Sequence, residues 1–261
     1  MADTLQVHIT SQNLATIILN NPERHNAFDD AVIQQLTLEL KKLDRSDIRA
    51  VILSATGKSF CAGADLQWMQ RTANYTKQQN LQDSLALADL MHTLYCMQPP
   101  TIAVVQGSAF GGGVGLVACC DIAVASNQAV FSFSEVRLGL IPAVISPYVI
   151  AAIGTRQATH YFITGKHISA EEALKIGLVH YRVEEDELPN QVTEIVQHIL
   201  QNSPQAIIAS KKLIHDVKNL PIDKTLINET AKRIAEIRVS AEGQEGLQAF
   251  LQKRKPKWCP Q

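Results

Sequence analysis

Two segments combine small residues with a spacing suited to main-chain chemistry. The first is Ser59-Phe60-Cys61-Ala62-Gly63-Ala64-Asp65-Leu66, where Ala62, Gly63 and Ala64 let a ligand approach the backbone closely. The second is Gln106-Gly107-Ser108-Ala109-Phe110-Gly111-Gly112-Gly113. Three successive glycines cost a helix start ~1 kcal/mol each relative to alanine. That cost is understandable where amide N–H groups must face a ligand. A phosphate loop is the obvious rival, but it needs Gly-Lys-Ser/Thr and Val114 follows here. A dinucleotide fingerprint fits poorly, because the glycines do not follow the first strand of the chain. Either segment alone reads equally well as an ordinary strand-to-helix turn. Together, two such loops can aim one amide apiece at a single oxygen, which is an oxyanion hole.

Other chemistries find little support. Ser108, Ser134 and Ser146 lie in no G-x-S-x-G elbow, which argues against a serine nucleophile. The eight histidines form no H-E-x-x-H pair, and only His25 lies in a suspected ligand loop. Trp68 and Met69 follow the first loop, where they fit an acyl pocket or helix packing.

The elements that must position the loops alternate strand, loop and helix. Leu5 to Thr10 and Leu14 to Leu19 read as a hairpin. Asp29 or Asp30 caps a helix running to about Asp44. Ala50 to Ser54, Thr101 to Val105 and Asp121 to Ala125 read as buried strands, with Val130 to Phe133 a further one. Asp65 is placed to cap a helix, and Leu81 to Met97 forms a longer one that Pro99-Pro100 stops. Helices are predicted over 156–163, 170–176, 188–201, 204–217, 225–238 and 244–253. Residues 1–190 thus form an α/β core holding the loops, and 191–261 a helical C-terminal region packed beside it.

Composition bounds the function classes. The chain has 261 residues, 46% hydrophobic and 19% charged, with a formal net charge of −1. That fits a globular enzyme and suggests neither nucleic acid nor a membrane surface as partner. The five cysteines are odd in number and show no C-x-x-C spacing, so disulfides and structural zinc are not expected. The N-terminus shows no secretory pattern, and no apolar run approaches the ~20 residues of a membrane span. A cytoplasmic setting is expected.

The run Phe60 to Leu66, with Gly107 to Asp121 and Phe133-Ser134-Glu135 through Ile141-Pro142, resembles the enoyl-CoA hydratase/isomerase (crotonase) superfamily. Asn21-Pro22 with Asn26-Ala27, Thr164-Gly165 with Gly177-Leu178-Val179, and Ala249-Phe250 extend the resemblance over essentially the whole chain. It implies an α/β, crotonase-like spiral of ββα units with a C-terminal helical trimerisation region, as a homotrimer or dimer of trimers. It implies an acyl-CoA substrate, with no cofactor beyond the CoA of that substrate and no metal. By position, the amides of Ala64 and Gly112 resemble the oxyanion hole for the thioester oxygen. Ala62, Asp65 and Leu66 resemble part of the CoA wall. Glu23, Arg24 and His25 occupy the loop that meets the nucleotide end, and Lys253 resembles a basic residue that reaches CoA phosphate.

The family's hydratases use two glutamates. Glu135 matches one; Gly115 stands where the other is expected, and Ala143 replaces a usual glycine. Read without the family, Glu135 is a surface carboxylate paired with Arg137. With it, Glu135 is the catalytic acid/base, between apolar neighbours able to raise its pKa. One carboxyl group permits hydration, or a proton shuttle that moves a double bond. A non-catalytic CoA-thioester-binding protein is the third reading. The 110–148 stretch is also similar to bacterial 3-methylglutaconyl-CoA and isohexenylglutaconyl-CoA hydratases of leucine and terpenoid breakdown. That points to a branched substrate with a second carboxylate.

Overall fold

The computed structural model describes residues 4–45 and 47–259. Its first hairpin joins β1 (Leu5–Ile9) and β2 (Leu14–Leu19), with Leu5 opposite Leu19. Helix α1 (Asp30–Leu43) begins where the Asp29 carboxylate accepts the Val32 N–H at 2.9 Å. Val32 and Ile33, then Leu36, Leu40 and Leu43 at steps of three to four residues, form its buried apolar stripe.

Three windings of one pattern follow. The first runs β3 (Ala50–Ala55), β4 (Ser59–Cys61), α2 (Leu66–Thr72) and α3 (Lys77–Tyr95). The second runs β5 (Thr101–Val105), β6 (Ser108–Phe110) and α4 (Gly112–Cys119). The third runs β7 (Ile122–Ser126), β8 (Val130–Ser132), a 3-10 turn at Glu135–Leu138 and α5 (Ser146–Thr164). After β9 (Ile168–Ser169) and α6 (Ala170–Ile176), β10 (Tyr181–Val183) completes the strands. The first strand of each winding enters a six-stranded sheet ordered β1-β2-β3-β5-β7-β10. The second enters a four-stranded sheet ordered β4-β6-β8-β9. This is the ββα spiral that the resemblance implies.

The parallel registers explain why the loops meet. Cys61 pairs with Ala109 and Phe110 with Ser132, so β4, β6 and β8 end side by side. The loops leaving their carboxyl ends therefore open at one place, where ligands of α/β sheets gather. The inner strands of the larger sheet are buried on both faces, and so read as continuous apolar runs.

Helix α7 (Leu188–Leu200) belongs to the core. Its Leu188, Ile195, Val196, Ile199 and Leu200 pack with Ala50, Ile102 and Val124 of the six-stranded sheet. Helices α8 (Pro204–Val217) and α9 (Lys224–Val239) contain no buried residue, and α10 (Ala241–Leu251) buries only Ala249. Arg49 ties the end of the chain back, donating to the carbonyls of Leu200, Asn202 and Trp258. No helix of the described residues is long and apolar enough to cross a membrane.

Three helices begin three or more residues earlier than the sequence suggests, α10 among them at Ala241 where 244 is expected. Helix α3 starts at Lys77, where Thr76 and Gln79 form a reciprocal capping box. Helix α5 starts at Ser146 with Pro147 in its first turn, and is broken at Gly154, where φ is +74°.

Candidate active site

The first loop is held from one side by residues 21–28. Ala62 donates its N–H to the His25 carbonyl, Phe28 donates to Gly63, and Asp65 donates to Phe28. Asn26 fixes that bracing segment: its buried amide donates to the carbonyls of Thr56 and Ser59, both at 2.8 Å, and accepts the Asn21 N–H at 2.7 Å. Ala64 lies between two of these bonds, is exposed, and its N–H enters no hydrogen bond among the described residues.

The second loop presses against the first. Gly63 has φ +89°, and a Cβ there would lie 3.0 Å from the Phe110 carbonyl oxygen. A Cβ on Gly113 would lie 2.4 Å from the Cys61 carbonyl oxygen. These two contacts bracket Ala64 on one strand end and Gly112 on the other. Gly111 turns with φ +50°, a conformation that favours glycine, while its N–H donates to Ser132. Gly112 then opens α4, and its N–H also has no acceptor among the described residues. Both amides are therefore free donors on touching loops, and the Gly112 amide adds the positive end of a helix.

Glu135 stands beside them. Its Oε1 would lie 3.1 Å from a Cβ on Gly111, so the carboxyl covers the residue next to Gly112. Its Oε2 is buried without a hydrogen-bond partner among the described residues. Burial pushes the carboxyl above its ordinary range, partly offset by a hydrogen bond from its own backbone N–H. Arg137 does not neutralise it; the guanidinium donates to the Gly165 carbonyl at 2.7 Å. A raised, unpaired carboxyl beside two free amides can exchange a proton with a carbon next to a bound carbonyl.

Gly115 lies one turn further along α4, and its surroundings are apolar. A Cβ there would fall 2.3 Å from Ile145 Cγ2 and 3.1 Å from Met91 Cε. No carboxylate side chain fits at this position without displacing Ile145. Nothing in the residue pattern marks Ile145 or Met91 as wall residues. The same holds for Phe28, whose ring would meet a Cβ on Gly112 at 2.8 Å.

The remaining candidates divide. Arg24 forms an ion pair with Asp65 at 3.4 Å, and His25 Nδ1 lies 3.2 Å from Ser59 Oγ. Asp65 is buried and its carboxylate accepts the N–H groups of Gln67 and Trp68, so it caps α2. Leu66 is 76% exposed at the loop edge, and Glu23 is exposed nearby. Ala62, Asp65, Arg24 and His25 are thus brought together. Lys253 is not joined to them: it follows α10, is exposed, and makes no ion pair among the described residues. Trp68 is buried on α2, in a packing position. The thiols of Cys61 and Cys120 are buried and pushed up to about 12, so they stay protonated. A cavity of about 790 Å³ lies on the α7 side of the large sheet, lined by Leu14, Ile52, Val196 and Leu200, and shares no residue with these loops.

Comparison with known proteins shows the family. The Enoyl-CoA hydratase/isomerase family profile matches residues 9–261. A short-chain-enoyl-CoA hydratase of Clostridium acetobutylicum is 32% identical over 93% of this chain and 92% of its own. An enoyl-CoA hydratase domain-containing protein 3, mitochondrial, of Xenopus laevis is 35% identical over 93% of this chain and 82% of its own. The crystal structure of an enoyl-CoA hydratase from Shewanella pealeana superposes with a TM-score of 0.94 at 42% identity, covering 98% of this chain and 96% of that one. The chain therefore belongs to the enoyl-CoA hydratase/isomerase (crotonase) family.

Proposed function

We propose that this enzyme adds water across the α,β double bond of an enoyl-CoA thioester. The observation that carries the reading is the Glu135 carboxyl lying against Gly111, one residue from a free helix-terminal amide. The amides of Ala64 and Gly112 donate to the thioester oxygen, which accepts from both. Glu135 takes a proton from water as the water oxygen bonds to the β-carbon. The π electrons move onto the α-carbon and thioester oxygen as an enolate. Glu135 then returns its proton to the α-carbon, so water is added and the carboxylate is regenerated. Each amide contributes ~3 kcal/mol of transition-state stabilisation.

We assign Ala62, Asp65 and Leu66 to the CoA-binding wall and Glu23, Arg24 and His25 to the nucleotide end of CoA, with Lys253 reaching phosphate. A 3-methylglutaconyl-type thioester is the substrate we favour, on the sequence likeness of the 110–148 stretch. We assign residues 191–261 to assembly of a trimer or dimer of trimers and to a CoA lid. The bare faces of α8 and α9 and exposed Ile222, Val239 and Phe250 support that role. A reducing cytoplasm suits the five free cysteines. The test is to mix the protein with 3-methylglutaconyl-CoA and with crotonyl-CoA and follow loss of the conjugated thioester absorbance. Turnover of neither would refute hydration.

A second reading has its own observation. The apolar wall of Ile145 and Met91 at Gly115 supplies no second carboxylate. A lone proton shuttle of that kind suits double-bond isomerisation. Product mass separates the two, since only hydration adds water.

A further inference from the structure

The loop after α5 touches both halves of the site. The Gly165 carbonyl, on a buried residue with φ +58°, accepts from the Arg137 guanidinium at 2.7 Å and from the Ser132 hydroxyl at 3.4 Å. A Cβ on Gly165 would lie 3.2 Å from Arg137 Nε and 3.5 Å from both the Phe133 carbonyl oxygen and Val136 Cγ2. The Ser132 carbonyl in turn accepts the Gly111 N–H at 2.9 Å. Two residues beyond Gly165, the His167 ring meets the Phe110 ring edge-on at 5.6 Å. The short turn that carries Glu135 also carries Arg137, so both ends of this network come from residues 132–137.

The geometry points to Arg137 as a positioning residue: through the Gly165 carbonyl, shared with the Ser132 hydroxyl, it ties the Glu135 turn to the end of β8, whose Ser132 carbonyl holds Gly111, and so fixes the carboxyl relative to the free amides. This deepens the hydration reading and rests on it for its kinetic consequence. The turn is a single four-residue 3-10 element with no buried residue, and apart from local main-chain bonds such as Leu140 N–H to the Glu135 carbonyl at 3.0 Å, Arg137 is its side-chain tether to the loop after α5. A charge-assisted bond to a carbonyl is among the stronger anchors available to such a segment. Arg137 touches no reacting atom. A displacement of the carboxyl by ~1 Å is enough to cost about a hundredfold in rate.

The test compares Arg137→Met and Arg137→Lys with the unaltered protein. Carbon-13 NMR of the Glu135 carboxyl is recorded against pH, and kcat and KM are measured on crotonyl-CoA. Arg137→Met is expected to move the Glu135 titration midpoint down toward the ordinary carboxylate range, as the released side chain reaches water. It is expected to lower kcat by about ten- to a hundredfold with KM within about twofold. Arg137→Lys, which keeps a donor, restores part of both. Matching circular dichroism and melting curves separate this from unfolding. An unchanged Glu135 titration in Arg137→Met overturns the inference. If the unaltered protein hydrates no enoyl thioester, the hydration reading fails, while the titration still decides the role of Arg137.

Discussion

Glu135 and Gly111 share one space: Oε1 of the glutamate occupies the region 3.1 Å from where a Cβ on residue 111 would project, and Cδ lies 3.7 Å from it. Glycine is required here twice over, for φ +50° and for this approach. The acid and the helix-terminal amide of Gly112 are thereby set within one residue of each other.

Glu135→Gln should lower turnover by about 10² to 10⁴-fold, the usual contribution of a positioned acid/base. It should also change stability in a pH-dependent way. The folded-state pKa is raised by burial, so the native state holds a proton that the unfolded chain releases near pH ~4.3. The favourable contribution is complete below that value and is lost as pH rises through the folded-state pKa. Glu135→Gln should therefore stabilise the protein at neutral pH and not at pH ~4. Urea denaturation at both pH values checks the sign.

Gly115→Glu should destabilise the fold, because its Cβ meets Ile145 Cγ2 at 2.3 Å. Overpacking of this kind costs typically ~1–3 kcal/mol. Adding Ile145→Ala should recover part of the loss, and a double-mutant cycle would show coupling between the two positions. Additive costs would mean that the wall is not the reason for glycine at 115.

Gly112→Ala places a methyl group 2.8 Å from the Phe28 ring. The ring can yield, but the amide then shifts with it. A fall in kcat approaching the 10²–10³-fold typical of losing one oxyanion donor is expected, with only a small change in melting temperature. Gly113→Ala should behave oppositely. Its methyl group meets the Cys61 carbonyl oxygen at 2.4 Å, and backbone cannot rotate away. There the melting temperature should drop first.

Asn26→Ala should cost about 3 kcal/mol by denaturant titration. It unpairs the Thr56 and Ser59 carbonyls and the Asn21 N–H at once, and each buried polar group left unmade costs ~1–3 kcal/mol. Asn26→Asp retains an acceptor only and should recover little.

Much of this site was legible because its parts are main-chain features written in small residues. The Gly111–Gly113 run and the Asp65 cap identify both loop-to-helix junctions, and α6 is found over 170–176 as the apolar spacing indicates. Of the four-stranded sheet, the sequence shows β8 over Val130 to Phe133, whereas β4 and β6 fall inside the two loops. Those two strands have three residues each, too few to show a period of two. The first half of α5 was missed because Gly154 interrupts it and Pro147 opens it. Ile145, Met91 and Phe28 are ordinary apolar residues in sequence, and only the packing around α4 reveals what they exclude. The alternative reading that pairs Glu135 with Arg137 fails for a geometric reason. They lie two apart on a tight turn, and the Gly165 carbonyl captures the guanidinium.

The most direct measurement is incubation of the protein with an enoyl-CoA in heavy-oxygen water, with the product analysed by mass spectrometry, alongside Glu135→Gln. Hydration gives a thioester heavier by one labelled water with the label on the β-carbon, and the variant forms it at a rate reduced by orders of magnitude. A product of unchanged mass with its double bond moved, bound thioester that never reacts, or full activity in Glu135→Gln would contradict it.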